Sequence, residues 1–275
     1  MNSQNQNVNS NDSNDNQNTR EFTPNQLLYL QAMKNVELDE VQFIKRQLLG
    51  NKLTDYFAGL PSKGCLNSLQ REVLIGAMLG DGTLRKEKNA VNVNFKYDLT
   101  IATKKVVVLV YSIFQDLVGT PPATAKKAKS QDTFWFRTYR LKELRHWQKL
   151  FYTIDAHGDN VRRVPNQLHK WITPLSLAIW FMDDGSKGTK AGYYLNTQCF
   201  TQGEVKKLQQ ILGNKFHLEV SIQKDDKPKE NKKFFRLYIL QSSVPKFNAL
   251  VEPFILPCMR YKLHENKTQD RDVSF

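Results

Sequence analysis

Two periods run through this chain. In some stretches apolar residues recur every three or four positions and in others every second one, the marks of helices and half-buried strands. Leu74-Ile-Gly-Ala-Met-Leu-Gly-Asp81-Gly82 and Leu177-Ala-Ile-Trp-Phe-Met-Asp-Asp184-Gly185 are apolar almost throughout and end in Asp-Gly, as expected of buried helices stopped by a turn. After the first, Val91, Val93, Phe95 and Tyr97 alternate with Asn92, Asn94 and Lys96, which predicts a strand with one apolar and one hydrogen-bonding face. After the second, Tyr194, Asn196 and Gln198 stand on a polar face opposite Leu195 and Cys199. Thr201-Gln-Gly-Glu204 reads as a capping box for the helix that follows.

These segments form an internal repeat. Phe136-Arg137-Thr138-Tyr139 recurs as Phe235-Arg236-Leu237-Tyr238, from Asp81 to Arg137 in one copy and from Asp184 to Arg236 in the other at nearly the same offset. Lysines precede both strands, Lys126, Lys127 and Lys129 in the first copy and Lys227, Lys229, Lys232 and Lys233 in the second. A cationic position closes each copy, Arg162-Arg163 and then Lys262. Four features in register point to a duplicated unit of helix, two strands, helix, two strands, helix. The expected organisation is an α+β fold with halves at 68–170 and 171–275.

Ahead of the repeat, residues 1–22 are mostly Asn, Gln, Ser and Asp and read as a disordered tail, unable to offset the entropy of ordering. The tail has no apolar core and so does not read as a targeting signal; a protein of this kind working in an organelle would be made there. Residues 23–67 read as a helical extension packed on the main domain and available for extra DNA contacts. Its amphipathic patterns are Pro24–Lys34 and Leu38–Leu49, followed by a turn at Gly59–Gly64.

Charge narrows the partner. Lys and Arg number 40 against 27 Asp and Glu, a net +13, which favours a polyanion because each phosphate contact releases a counterion. A basic ribosomal surface would share that charge, so it supports nucleic-acid binding and no particular reaction. No apolar run approaches the roughly 20 residues of a spanning helix. The three cysteines, Cys65, Cys199 and Cys258, form no CxxC pair, and the five histidines no cluster, so neither zinc nor a disulfide framework is expected.

Asp81 and Asp184 carry the candidate chemistry. A carboxylate at a helix C-terminus faces the negative end of the dipole, a conflict that a divalent cation removes. Mg²⁺ suits the place, since it takes hard oxygen ligands and keeps several waters. A single such end is equally an ordinary turn; the pair points to function. Gly76 and Gly80, with Ala77 beside them, would let the first helix approach the second where it offers Ser176 and Ala178. Packed in parallel, the helices would deliver both aspartates to one end, near enough to act on opposite strands across a minor groove. Glycines packed against a strand are the other reading. On the sheets, Asn92, Asn94, Lys96, Arg137, Asn196, Gln198, Gln223 and Arg236 are of the types that read base edges. The lysine clusters suit phosphates. A solvated polar face is an equal reading of any one of them.

The two nonamers resemble the signature of the LAGLIDADG homing endonucleases. Asn196-Thr-Gln-Cys-Phe200-Thr, Gly213-Asn-Lys-Phe-His-Leu and Leu256-Pro-Cys-Met-Arg-Tyr-Lys262-Leu look like the two-motif, single-chain type of the mitochondrial omega intron. The resemblance covers roughly residues 68–265. It implies two αββαββα halves with antiparallel, saddle-shaped sheets on the DNA major groove and a central pair of signature helices. It implies Mg²⁺-dependent cutting of both strands of a long asymmetric duplex site by a monomer encoded in an organellar intron. On the matching positions it implies Asp81 and Asp184 as catalytic metal ligands, the backbone carbonyls of Gly80 and Asp183 as further ligands, and Lys262 as the basic active-site residue. Arg162 holds the first-half position where lysine is usual; arginine stabilises charge but shuttles protons poorly. An RNA maturase acting on its own intron, or a non-catalytic DNA-binding regulator, would share the scaffold, but neither needs both aspartates.

Overall fold

The computed structural model describes residues 21–38, 65–87, 90–127, 130–155, 158–225 and 234–264. Helix α1 (Pro24–Leu38) precedes a first half of α2 (Ser68–Leu79), β1 (Thr83–Arg85), β2 (Asn94–Thr100), α3 (Lys104–Phe114), β3 (Ala123–Ala125), β4 (Thr133–Arg137) and α4 (Leu144–Phe151). A hairpin of β5 (Tyr152–Ile154) and β6 (Asn160–Arg162) and the short helix α5 (Leu168–Trp171) lead out of it. The second half is α6 (Pro174–Asp184), β7 (Gly185–Lys187), β8 (Tyr193–Leu195), α7 (Gln202–Phe216), β9 (Val220–Lys224), β10 (Phe235–Ile239) and α8 (Val244–Val251). Both halves are αββαββα, as the repeat predicts. The second amphipathic pattern beyond residue 38, the Gly59–Gly64 turn, residues 1–20, Lys129 and the lysines at 227–233 lie outside the described residues.

Each half builds an antiparallel four-stranded sheet, in the orders β1-β2-β4-β3 and β7-β8-β10-β9. Strand parity decides what each face does. In the first sheet Phe95, Tyr97, Leu99, Phe134 and Phe136 turn inward beneath α3, with the Phe95 and Phe114 rings 5.1 Å apart. In the second, Tyr193, Leu195, Leu237 and Ile239 turn inward, and Phe247 of α8 packs 5.0 Å from the rings of both Tyr193 and Phe181. Truncating one of these buried aromatics to alanine costs about 3–5 kcal/mol, far more than a surface ion pair at under ~1 kcal/mol. The opposite faces stay open and polar.

Between the sheets, α2 and α6 pack side by side, and their all-round apolarity follows from burial on every side. Gly76 makes the approach possible: a Cβ there would strike the Ser176 carbonyl and lie 2.8 Å from the Ile179 Cβ. The far ends are stitched by polar groups. Ser176 donates to the Glu72 carbonyl at 2.8 Å and Thr173 to the Glu72 carboxylate at 2.6 Å.

Helix α1 packs one face against this core and leaves the other exposed. Tyr29, Met33 and Val36 are buried, Tyr29 donates to the Phe254 carbonyl at 2.9 Å, and Asn25 reaches Glu72 at 2.8 Å. The helix runs four residues past the predicted end at Lys34 and packs on α3, behind the helix layer and away from the open sheet faces. This part of the extension packs through Tyr29, Met33 and Val36. No described helix is long and apolar enough to cross a membrane.

The expected capping box at α7 forms only by half. Thr201 accepts from the Glu204 N–H, but the Glu204 carboxylate turns to the N–H of Val164. Val164 is buried in the linker between halves, and its N–H needs an acceptor more than an exposed helix end does. A complete box forms instead at α2, between Asn67 and Gln70.

Candidate functional site

The register of α2 on α6 sets the geometry of the site. Gly76 faces Ser176 and Ile179, and four residues on Gly80 faces Asp183, so the helices run parallel and bring Asp81 and Asp184 out at the same end. Gly82 lets the chain fold back on α2: its N–H reaches the Ala77 carbonyl at 2.8 Å, and a Cβ would meet that oxygen at the same distance. The parallel packing drawn from the small-residue stripe is present.

Each helix end receives a cation from its own half. Arg162, at the end of β6, donates to the carbonyls of Gly80 and of Gly82, the latter at 2.5 Å, and reaches toward Met78 at 3.4 Å. Lys262, in a 3-10 turn, donates to Met182 at 2.6 Å and Asp183 at 3.2 Å. A strand and a turn thus deliver the same function, a positive charge on the carbonyls that a helix C-terminus leaves without partners. The arginine fork reaches the carbonyls of Met78, Gly80 and Gly82 through two nitrogens, while the single ammonium of Lys262 gathers those of Phe181, Met182 and Asp183. Both carbonyls named as further metal ligands, Gly80 and Asp183, therefore already accept one hydrogen bond, and each keeps a second lone pair.

Asp184 senses Asp81, and both aspartates sense both cations. Burial is the main cause holding Asp184 up at about 7, repulsion from Asp81 adds to it, and Arg162 and Lys262 oppose it. Asp81 keeps an exposed edge, yet the protein around it desolvates it enough to raise its pKa, against the pull of Arg162 and Lys262. Burial likewise draws the Lys262 ammonium down, with the three aspartates pushing back. Two carboxylates that resist ionisation in a shared cleft fit a divalent cation, whose charge would remove the penalty. Among the described residues no group of three or more His, Cys, Asp or Glu could hold a metal alone. An ion here would complete its shell with carbonyls, waters and substrate oxygens, which is the habit of Mg²⁺.

A stability measurement follows from these shifts. Asp184 has a pKa of 3.8 in the unfolded chain and about 7 in the fold, so the folded state binds its proton more tightly. The resulting penalty is absent below about pH 4, grows between, and is complete above about pH 7. In chelator at pH 7.5, Asp184→Asn should raise Tm by about 3 °C or more, and at pH 4.5 it should change little. Differential scanning calorimetry checks this; a lower Tm at neutral pH contradicts the assigned strain.

The predicted base readers divide. Lys96 and Arg137 stand side by side on the open face of the first sheet, Lys96 bonded to Asp98 at 2.6 Å and 5.0 Å from the Trp135 ring centroid. Gln223 and Arg236 pair across β9 and β10, with Arg236 stacked 4.4 Å over Tyr194 and 3.4 Å from Asp225. Gln198 donates to Asp225 at 2.9 Å. Such mutual ties fix rotamers before a partner arrives and lower the entropy cost of binding. Lys126 and Lys127 are exposed just beyond β3. Asn92 precedes β2 in a bend and is half-buried.

Two of these positions are less open than the strand pattern implies. Asn94 is only 4 % exposed, enclosed between β1 and the segment where Val93 bridges Leu141, so it is covered where base reading needs an open face. Asn196 lies past the end of β8 and donates both its N–H and its side-chain amide to the Asp184 carbonyl, at 3.0 and 2.9 Å. It braces the C-terminal end of α6. The strand parity continues to Thr197, which is buried, but breaks in the turn before Cys199, which is exposed rather than on the apolar face.

One group escaped sequence reasoning. The Asp183 side chain, expected to contribute only its carbonyl, accepts from the Tyr97 hydroxyl and from the Asp81 N–H at 3.3 Å. Tyr97 has inward parity and reads as a core residue, which hides its polar tip. The Asp183-Asp184 doublet was the available signal.

Parallel helices ending in aspartates, beneath two open antiparallel sheets, define a two-motif LAGLIDADG protein. The chain belongs to the LAGLIDADG DNA endonuclease family, whose family model matches residues 71–247. Among individual proteins, it is 34% identical over 207 residues to probable intron-encoded endonuclease 1 of Wickerhamomyces canadensis, covering 72% of this chain and 85% of that one. It is 30% identical over 208 residues to cytochrome b mRNA maturase bI2 of Saccharomyces cerevisiae, covering 73% of this chain but only 48% of the maturase. The solved structure of the homing endonuclease I-WcaI bound to its DNA recognition sequence matches 78% of this chain and 98% of that one, with a TM-score of 0.64 and 27% identity.

Proposed function

We propose that this chain is a site-specific homing endonuclease, encoded in an organellar intron, that acts as a monomer and cuts both strands of a long asymmetric DNA site with Mg²⁺. The observation that carries this reading is the pair of aspartates at the ends of parallel helices, each beside a cation from its own half. A binding protein has no use for two carboxylates pressed into one cleft at an energetic cost. The I-WcaI structure, solved on its DNA recognition sequence, supports DNA as the partner; the open polar sheet faces would seat it.

Asp81 and Asp184 would hold the metal, with the free lone pairs of the Gly80 and Asp183 carbonyls alongside. When bound, Mg²⁺ supplies a Lewis acid that eases deprotonation of water and offsets charge on the phosphate. Arg162 and Lys262 hold positive charge at the helix ends, where it stabilises the negative charge that develops as a phosphodiester is attacked. Lys96, Arg137, Gln223 and Arg236 would contact bases, and Lys126 and Lys127 phosphates, together with the lysines at 129 and 227–233.

A second reading has its own support, the likeness to the yeast maturase, which extends over about half of that protein. Incubation with intron-less host-gene DNA separates the two. The endonuclease reading expects one double-strand break that needs Mg²⁺ and disappears in chelator. Tight binding of the intron RNA with intact DNA under the same conditions would favour the maturase.

A further inference from the structure

The two signature helices end differently, and the difference is built into their interface. Gly80 in the first motif stands where Asp183 stands in the second. A Cβ on Gly80 would lie 2.5 Å from the Asp183 carboxylate oxygen and 2.6 Å from its Cβ. Only one of the two ends can therefore carry a side chain at this level, and the carboxylate from α6 fills the space that glycine leaves on α2.

That carboxylate makes two bonds, both to the other half. One oxygen accepts from the hydroxyl of Tyr97, a fully buried residue at the centre of β2. The other accepts from the N–H of Asp81 at 3.3 Å. This N–H has lost its ordinary helical acceptor. The Ala77 carbonyl, four residues back, already receives the N–H groups of Gly80 at 3.1 Å and Gly82 at 2.8 Å. The Asp183 carboxylate accepts it in place of the helical carbonyl.

We infer that Asp183 and Tyr97 are positioning residues that set the backbone at Asp81, so that the carboxylate beside one catalytic aspartate orients the other. Asp183 does this through its side chain, apart from any role of its carbonyl. The chain of contacts runs from β2, whose outward residues Lys96 and Asp98 flank Tyr97 on the open face, through Asp183 to the Asp81 peptide. The sheet of the first half is thereby linked to its own aspartate through a residue of the second half.

This inference rests in part on the endonuclease reading, and its test has one arm independent of it. Hydrogen–deuterium exchange of the intact protein without DNA or metal should show the Asp81 amide exchanging about tenfold faster or more in Asp183→Ala, with protection retained across α2 and α6. Tyr97→Phe, which keeps the ring and removes the hydroxyl, should give a smaller change in the same direction. In single-turnover cleavage both variants should slow cutting about tenfold or more, with DNA affinity and Tm close to wild type. An unchanged Asp81 amide in Asp183→Ala overturns the inference. So does a rate loss that only tracks lower Tm or weaker DNA binding. Should the wild-type protein cut no DNA, the endonuclease reading fails, while the exchange arm still decides whether Asp183 holds the Asp81 backbone.

Discussion

Asp81→Asn and Asp184→Asn should each lower double-strand cleavage by roughly a thousandfold or more while DNA affinity stays within a few-fold. Asparagine keeps the shape of aspartate and removes its charge, so the helix ends stay packed while the divalent site loses an anionic ligand. Binding is expected to survive because the sheets and lysines that would contact DNA lie apart from the helix ends. The substitutions also remove repulsion between two strained carboxylates, so neither variant should be unstable. Single-turnover assays on strand-labelled duplex, beside anisotropy titrations, would measure both quantities. A normal cutting rate in either variant contradicts the assignment.

The paired cations give the second large effect. Lys262→Met should cost about a hundredfold in cleavage, the usual scale for removing one group that stabilises developing charge. Arg162 differs in kind. Its guanidinium stays protonated at every accessible pH, whereas a lysine whose pKa burial has lowered can give up its proton. The strand served by the arginine half should therefore be cut more slowly, and nicked duplex should accumulate before the double-strand break. Arg162→Lys should shorten that lag, although a lysine cannot span the Gly80 and Gly82 carbonyls as the fork does, so some loss of stability should accompany the gain. Equal rates on both strands, unmoved by the substitution, would rule out the asymmetry.

Most of the architecture was legible in the sequence because it is written in long signals. An apolar nonamer ending in Asp-Gly, repeated about a hundred residues later with a second strand motif in register, specifies a duplicated helix–sheet unit. Glycines at 76 and 80 allowed a close approach of the two helices, with packing on a strand as the other reading, and the contacts of Gly76 with Ser176 and Gly80 with Asp183 decide it. What was missed turned on short or tertiary features. The three-residue strands of the β5–β6 hairpin are too brief to show a period, so Arg162 was found by its spacing and not by the strand that carries it. Asn196 fits a strand pattern, but β8 stops one residue earlier and leaves its amide free to brace Asp184. Glu204 has the sequence of a capping box, yet a buried N–H from the interdomain linker competes for it successfully. Asp183 and Tyr97 meet only because two halves pack together, and no local period carries that information.

The central claim is that one chain holds both half-sites and breaks both strands of one duplex. Native mass spectrometry of the protein on its target in Ca²⁺, followed by addition of Mg²⁺ and strand-resolved product analysis at one protein per duplex, tests this most directly. A complex of one chain and one duplex that yields breaks in both strands is the expected result. A complex that needs two chains, or a single chain that breaks only one strand, would contradict it.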